Sequence, residues 1–189
     1  MAIIKKIALL LFVSFLFIQC SNDDAFFVGK GKVGLLTKET TVKELNQIFE
    51  NDSIVTHLSK NNTSNKNLYF TENDLYEVYS KTGEKLLEIC PIQQNDATSK
   101  IKSIQIFNPQ YETKNGIGLK SNFKDISSNY VINKVETTLS SATLYIDELN
   151  ATIAIDKKDL GISSFSREEI LVDQIPDVSN IKFFTIWFN

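Results

Sequence analysis

Ser99-Lys100-Ile101-Lys102-Ser103-Ile104-Gln105-Ile106 and Ser179-Asn180-Ile181-Lys182-Phe183-Phe184-Thr185-Ile186 stand 80 residues apart and share one pattern of serine, lysine and apolar positions. Upstream, Val33-Gly34-Leu35-Leu36 matches Ile117-Gly118-Leu119-Lys120 at an offset of 84. Between them, Val42, Leu45 and Phe49 match Phe123, Ile126 and Tyr130 at an offset of 81. Matches in the same order at nearly one spacing argue for an internal repeat.

Each unit has the same expected order of elements. A short apolar strand (Val33 to Leu36; Gly116 to Lys120) leads into a short helix. Thr41 and Glu44 have capping-box spacing, and Ser121 or Asn122 can cap the second helix. Neither apolar stripe is long enough to hold a helix alone, so both need an apolar support. In unit one the strands read as Ile54 to Leu58, Leu75 to Ser80, Lys85 to Ile92 and Lys100 to Phe107. In unit two they read as Val131 to Thr138, Ala142 to Asp147, Ala151 to Asp156 and Ile181 to Phe188. The turn sequences Lys81-Thr82-Gly83-Glu84 and Asp147-Glu148-Leu149-Asn150 are short enough to force antiparallel pairing. Two inserts break the match, Ser59 to Asn67 and Lys157 to Ser179, the second with a further capping-box pair at Ser166 and Glu169. The expected fold is α+β: a tandem repeat of a short helix packed on an extended, mostly antiparallel β-sheet. A β-barrel or β-sandwich is the alternative.

The N-terminus reads as an address. Lys5 and Lys6 precede a twelve-residue run, Ile7 to Ile18, apolar except for Ser14. That is signal-peptide length, well short of the roughly 20 residues a spanning helix needs. The run ends at Cys20, followed by Ser21-Asn22-Asp23-Asp24. This end resembles the lipobox of bacterial lipoproteins, although Gln19 and Phe17 replace the small residue and the leucine of that pattern. The resemblance implies acylation of Cys20. Ser21 after the cysteine resembles lipoproteins sorted to the outer membrane, and Asp23-Asp24 resembles the surface-export signal of Bacteroidota lipoproteins. Nineteen lysines against the single Arg167, with seventeen asparagines, agree with an AT-rich source. The expected boundaries are a signal peptide at 1–19, an acidic and glycine-bearing tether at 20–32, and repeats at 33–108 and 109–189 in one continuous domain. In element order the repeats resemble the beta-lactamase-inhibitor-like fold of small envelope lipoproteins. The segment Thr113-Lys114-Asn115-Gly116-Ile117-Gly118-Leu119 is similar to uncharacterised members of that company.

Composition removes several functions. The 189 residues carry 42% hydrophobic and 23% charged side chains, as in ordinary globular proteins. One His and two Cys exclude the usual Cys/His zinc site and a disulfide framework. A formal charge of −3, falling to −5 once Lys5 and Lys6 are removed, offers no basic surface for nucleic acid. With Cys20 acylated, Cys90 has no intramolecular partner, and its apolar neighbours mark it as inert.

Candidate chemistry is sparse. Gly29-Lys30-Gly31-Lys32-Val33-Gly34 is a literal G-x-G-x-x-G, but a nucleotide site needs a strand before it and a helix N-terminus after it. Here it reads as a linker entering the first strand, so no nucleotide is expected. His57 sits in an expected strand beside a polar loop and reads as surface decoration. The carboxylate pairs Asp147-Glu148, Asp156/Asp159 and Glu168-Glu169 fall at turns or a helix start, where acids cap or stay solvated. No catalytic residue, metal or cofactor is expected. Alternation along the last strand sends Phe184, Ile186 and Phe188 to the core, with Phe183, Thr185 and Trp187 on the other side. Phe107 and Tyr145 join that side. Phe183, Trp187, Phe107 and Tyr145 are therefore the candidate partner-binding residues. The expected role is a non-enzymatic, lipid-anchored envelope protein that binds a macromolecule in the manner of an inhibitor or immunity protein. Its acidity favours a basic protein partner. An outer-membrane assembly scaffold and a carbohydrate-active enzyme are the alternatives.

Overall fold

The computed structural model describes residues 25–59, 73–163 and 168–188. The signal-like run, Cys20 and the Asp23-Asp24 pair lie outside these residues, as do Ser166 and most of the polar insert after Ser59.

The chain builds a sheet of eight antiparallel strands, β4 (Ser53–His57), β5 (Leu75–Tyr79), β6 (Lys85–Pro91), β7 (Ile101–Ile106), β9 (Lys134–Thr137), β10 (Ser141–Ile146), β11 (Ala151–Asp156) and β12 (Ile181–Trp187). Their order is β4-β5-β6-β7-β12-β11-β10-β9, so β7 and β12 meet at the centre and β4 and β9 are the open edges. A second, four-stranded sheet has the order β3-β2-β1-β8, from β1 (Phe27–Gly29), β2 (Lys32–Val33), β3 (Leu36–Thr37) and β8 (Glu112–Thr113). Its β1–β2 and β2–β3 pairs are antiparallel, while β1 and β8 run parallel.

One face of the large sheet is closed. Leu87, Ile89, Ile104, Ile106, Leu144, Ile153, Phe184 and Ile186 are fully buried there. They share one apolar cluster with Val28, Val33 and Leu36 of the small sheet and with Leu45, Phe123, Ile126, Ile170 and Ile175. Strict alternation would not bury both Ile101 and Ile104, three positions apart. The register explains it: Cys90 pairs with Ser103 and Pro91 with Ile101, leaving Lys102 as the extra residue of a bulge. In β12 the same device operates, since Ala154 pairs with Phe183 and Ile155 with Ile181, leaving Lys182 over. Each bulge ejects a lysine to solvent and returns an isoleucine to the core. A third bulge lets the consecutive Leu86 and Leu87 both face inward, because Val78 pairs with Leu87 and Tyr79 with Lys85.

The helix-on-sheet expectation is corrected. Among the described residues the chain is mostly β, about 40% strand and 14% helical, and the two α-helices there are short. The first stripe becomes a 3-10 turn (Val42–Glu44) and a single turn, α1 (Leu45–Ile48); the second is α2 (Phe123–Asn129). The physical reason is length: three apolar residues cannot offset helix nucleation over more than one or two turns, nor roof eight strands. The small sheet, the 3-10 turns and the segment around Ile170 and Ile175 supply the remaining cover. The barrel alternative fails as well, because the ends β4 and β9 do not pair.

Both short helices are held at their N-termini by the segment leading into a central strand. Val42 N–H donates to the Ser99 carbonyl (3.0 Å) and Phe123 N–H to the Ser179 carbonyl (2.8 Å). Isolated bridges join Thr41 to Lys100 and Asn122 to Asn180.

The glycine-rich stretch expected to be a tether is a hairpin of the small sheet. Val28 on β1 is buried, and Gly31 in the turn to β2 has φ +67, a left-handed conformation suited to glycine. No helix N-terminus follows it, so the phosphate-cradling geometry of a nucleotide loop does not form.

Candidate interaction face

The other face of the large sheet has no layer over it among the described residues. Because directly paired residues share a face, the register can be followed across all eight strands: Val55, Glu77, Glu88, Gln105, Thr185, Thr152, Tyr145 and Lys134 form one transverse row. At the usual strand spacing the row spans roughly 34 Å. Its members are exposed or half-buried, in contrast to the sealed residues one position along the six inner strands, β5 to β7 and β10 to β12.

The four expected aromatics lie on this face, but in separate places. Phe183 is 42% exposed and belongs to the bulged start of β12. Its neighbour is Phe107, just beyond β7, because Phe184 pairs with Ile106. Phe107 is half-buried, with the Lys85 ammonium 4.2 Å from its ring centroid. Trp187 is at the opposite end of β12, half-buried, its indole N–H donating to Thr152 Oγ1 at 3.1 Å. Tyr145 lies two strands away on β10, beside Lys134 and Glu136, and makes no patch with Phe183.

Between these rings the face is polar and internally paired. In the first half Glu77 is the hub: it accepts from Lys85 (2.5 Å), His57 Nε2 (3.0 Å) and the Tyr79 hydroxyl (3.2 Å). Lys85 also reaches Glu88 at 2.8 Å. The Lys85 ammonium holds the Glu77 carboxyl below its ordinary range, with His57 and Tyr79 adding to the effect. Burial works against the Lys85 charge, but the hydrogen bonds it donates to the two glutamates outweigh it and raise its pKa. In the second half Tyr145 donates to Glu136 (2.6 Å), which also binds Lys134, and Lys182 pairs with Asp156 at 2.8 Å. The hydrogen bond to Glu136 is the main reason the Tyr145 phenol is raised. Such partly exposed pairs contribute little to stability, typically under about 1 kcal/mol each. They do fix the side chains that surround the aromatics.

Sequence reasoning passed over the Glu77 hub. The signal was present: Glu77 and Tyr79 are two apart on one strand, and the turn at 81–84 brings Lys85 and Glu88 alongside them. His57, read as decoration, is the partly exposed outer member of the cluster, its side chain 44% accessible. The expected carboxylate pairs do not converge on a cleft. Asp147 and Glu148 are exposed at the β10–β11 turn, and Glu168 and Glu169 are exposed in a loop. Asp156 caps the 3-10 turn after β11, and Asp159 accepts from the Asn180 N–H at 3.2 Å. Cys90 is a half-buried free thiol, pushed up in pKa by burial first and then by Glu88. Among the described residues no group of His, Cys, Asp and Glu is arranged to hold a metal ion. No helix among them is long and apolar enough to cross a membrane.

No family model matches the chain, and no curated protein matches it. Among solved structures it resembles the crystal structure of the uncharacterized protein yfeY from Escherichia coli, with a TM-score of 0.51 at 11% identity. That likeness covers 85% of this chain and 96% of the other. At that identity it concerns the fold alone.

Proposed function

We propose that this chain is a non-enzymatic, lipid-anchored protein of the bacterial outer membrane, and that the open face of its eight-stranded sheet docks a protein partner. The observation that carries the docking role is Phe183. It is a large aromatic, 42% exposed, on a central strand whose next residue, Phe184, is fully buried. A ring held that rigidly beside Phe107 buries apolar area on contact at small entropic cost. The charges on this face are largely paired with one another, so steering toward a basic partner rests on the net −5 of the processed chain. The anchor rests on the run Ile7 to Ile18 ending at Cys20 and its polar follow-on. Two or more acyl chains on that cysteine give stable attachment.

Crosslinking in the envelope fraction of the source cells tests the docking role. The unaltered chain should capture a defined partner, and Phe183→Ser should lose it while retaining its fold by circular dichroism. Capture of the same proteins by both forms would refute the face. A secreted toxin or hydrolase in the captured set makes the role inhibition, and an outer-membrane complex makes it assembly. Cys20→Ser should move the protein from membranes to the soluble fraction, and continued membrane retention would remove the lipid anchor.

A further inference from the structure

The end of β12 away from Phe183 opens into a groove of about 450 Å³, between the β1–β2 turn, the residues after β3 and the β10–β11 turn. Trp187 and Phe188 form its apolar part, Asn150 lies beside them, and Lys30, Lys38 and Glu39 line the rest. A cleft of this size with a few placed polar groups suits a small ligand.

The groove differs electrostatically from the sheet face it adjoins. Glu39 is already neutralised by Lys100. Lys30 reaches a backbone oxygen, that of Asp147, at 3.4 Å, and Lys38 adds to the field on the Glu39 carboxyl without forming an ion pair among the described residues. Three ammoniums, of Lys30, Lys38 and Lys100, thus stand against the single Glu39 carboxylate, and the cleft keeps a positive excess in a net-acidic chain. The aromatic wall is also fixed. The indole N–H is engaged by Thr152, and the Trp187 backbone is clamped at both ends by Asn150: its N–H donates to the Asn150 carbonyl (2.8 Å) and its carbonyl accepts from Asn150 Nδ2 (2.9 Å). With its N–H occupied, the ring offers carbon surface and π density to a ligand.

We infer that this groove binds an anionic saccharide, a sugar ring packing its C–H face on Trp187 while its carboxylate or phosphate meets Lys30 and Lys38. A flat apolar ring with polar edges matches a fixed indole, and a single anionic substituent matches the positive excess carried by Lys30 and Lys38. The site lies at the end of β12 opposite Phe183 and does not depend on the docking role of that residue.

Trp187 is the only tryptophan of the chain, so intrinsic fluorescence reports on this groove alone. The purified protein is titrated with a tetra-uronate and with a hexose 6-phosphate. A saturable change in emission with either supports the inference, and the stronger of the two identifies the preferred anion. The double variant Lys30→Gln, Lys38→Gln should weaken the response roughly tenfold or more, since charge-assisted hydrogen bonds carry the anion. Added salt should weaken it as well. Thr152→Val, which frees the indole, should weaken it while leaving the lysines in place. The inference is overturned by no emission change with either probe up to about 10 mM. It is equally overturned by an unchanged response in the double variant, by an equal response to neutral maltotetraose, or by a stronger response to tetraglutamate. Phe183→Ser should leave the titration unaltered, so failure of the docking face and failure of the groove are read separately.

Discussion

The two halves of the large sheet, β4 to β7 and β9 to β12, agree inside and differ outside. Each ends in a central strand with a lysine bulge, and each docks a short helix through a hydrogen bond from its first N–H to a serine carbonyl, Ser99 or Ser179. On the open face the first half carries the His57–Glu77–Lys85–Glu88 network, whereas the second carries exposed Phe183 and the Tyr145–Glu136–Lys134 trio. Core positions answer to volume and strand period, which tolerate few substitutions. The open face answers only to solubility and to whatever binds it, so it is free to diverge.

The sharpest way to break the comparison is to truncate the matched core residues. Phe184→Ala should cost about 3–5 kcal/mol and Ile104→Ala about 2–5. Phe183→Ala, one residue away but facing out, should cost under about 1 kcal/mol. Urea denaturation measures all of them, and a Phe183 variant as destabilised as Phe184→Ala would mean that the face is not open.

A second test uses a difference in loop length. The β9–β10 connection is a tight turn closed by Thr138 and Ser141, while the β4–β5 connection is long and is pinched at its neck by Asp74. Asp74 is fully buried and accepts from Ser59 N–H (2.7 Å), Ser59 Oγ (2.9 Å) and Asn95 N–H (2.5 Å). Burial alone would raise its pKa, but these donors outweigh it and lower the carboxyl. A carboxylate depressed in the folded state stabilises above its unfolded value, near 3.9, and that stabilisation is lost as pH falls through the folded value. Asp74→Asn should therefore cost about 2–3 kcal/mol at neutral pH and flatten the acid limb of the stability curve. An acid limb as steep as that of the unaltered chain would assign it to other carboxylates.

A smaller effect separates the two docking serines. Ser99 Oγ accepts from Gln93 N–H (2.8 Å) and donates to the Lys100 carbonyl (3.0 Å), but buried Ser179 Oγ has no hydrogen-bond partner among the described residues. Ser99→Ala should cost about 1–2 kcal/mol, and Ser179→Ala should be neutral or slightly stabilising. Equal losses in thermal unfolding would show that the hydroxyls are equivalent after all.

The smallest expected difference lies in the helix caps. Asn122 and Asp125 form a reciprocal box, each side chain accepting from the other's N–H at 3.0 and 2.9 Å. The Thr41 hydroxyl instead donates to Glu44, while the Glu44 N–H goes to the Thr41 carbonyl. Asn122→Ala should lose about 1 kcal/mol and Thr41→Ala less, measured by the same unfolding curves.

Much of the sheet could be read in advance because half-buried strands write their period directly into side-chain polarity, as along Ile181 to Phe188. The bulges could not, since an extra residue shows only as a broken alternation that mimics noise. The Glu77 hub was hidden for a related reason: its members come from three strands, and only the pairing register brings His57, Glu77 and Lys85 together. The groove at Trp187 joins residues 30 and 187, a juxtaposition without any local signature.

By itself the sequence determined where the strands of the large sheet form, which way they pair across short turns, and which of their side chains are apolar, because these depend on neighbours two to four residues apart; the expected strand at Gly116 to Lys120 did not form. Tertiary structure decided the rest. It split the first helix stripe into two short turns, folded the glycine-rich stretch into a second sheet that closes one face, left the other uncovered, and set Lys30 and Lys38 beside the indole. Those outcomes depend on which apolar surfaces bury one another most completely, a competition settled over the whole chain at once.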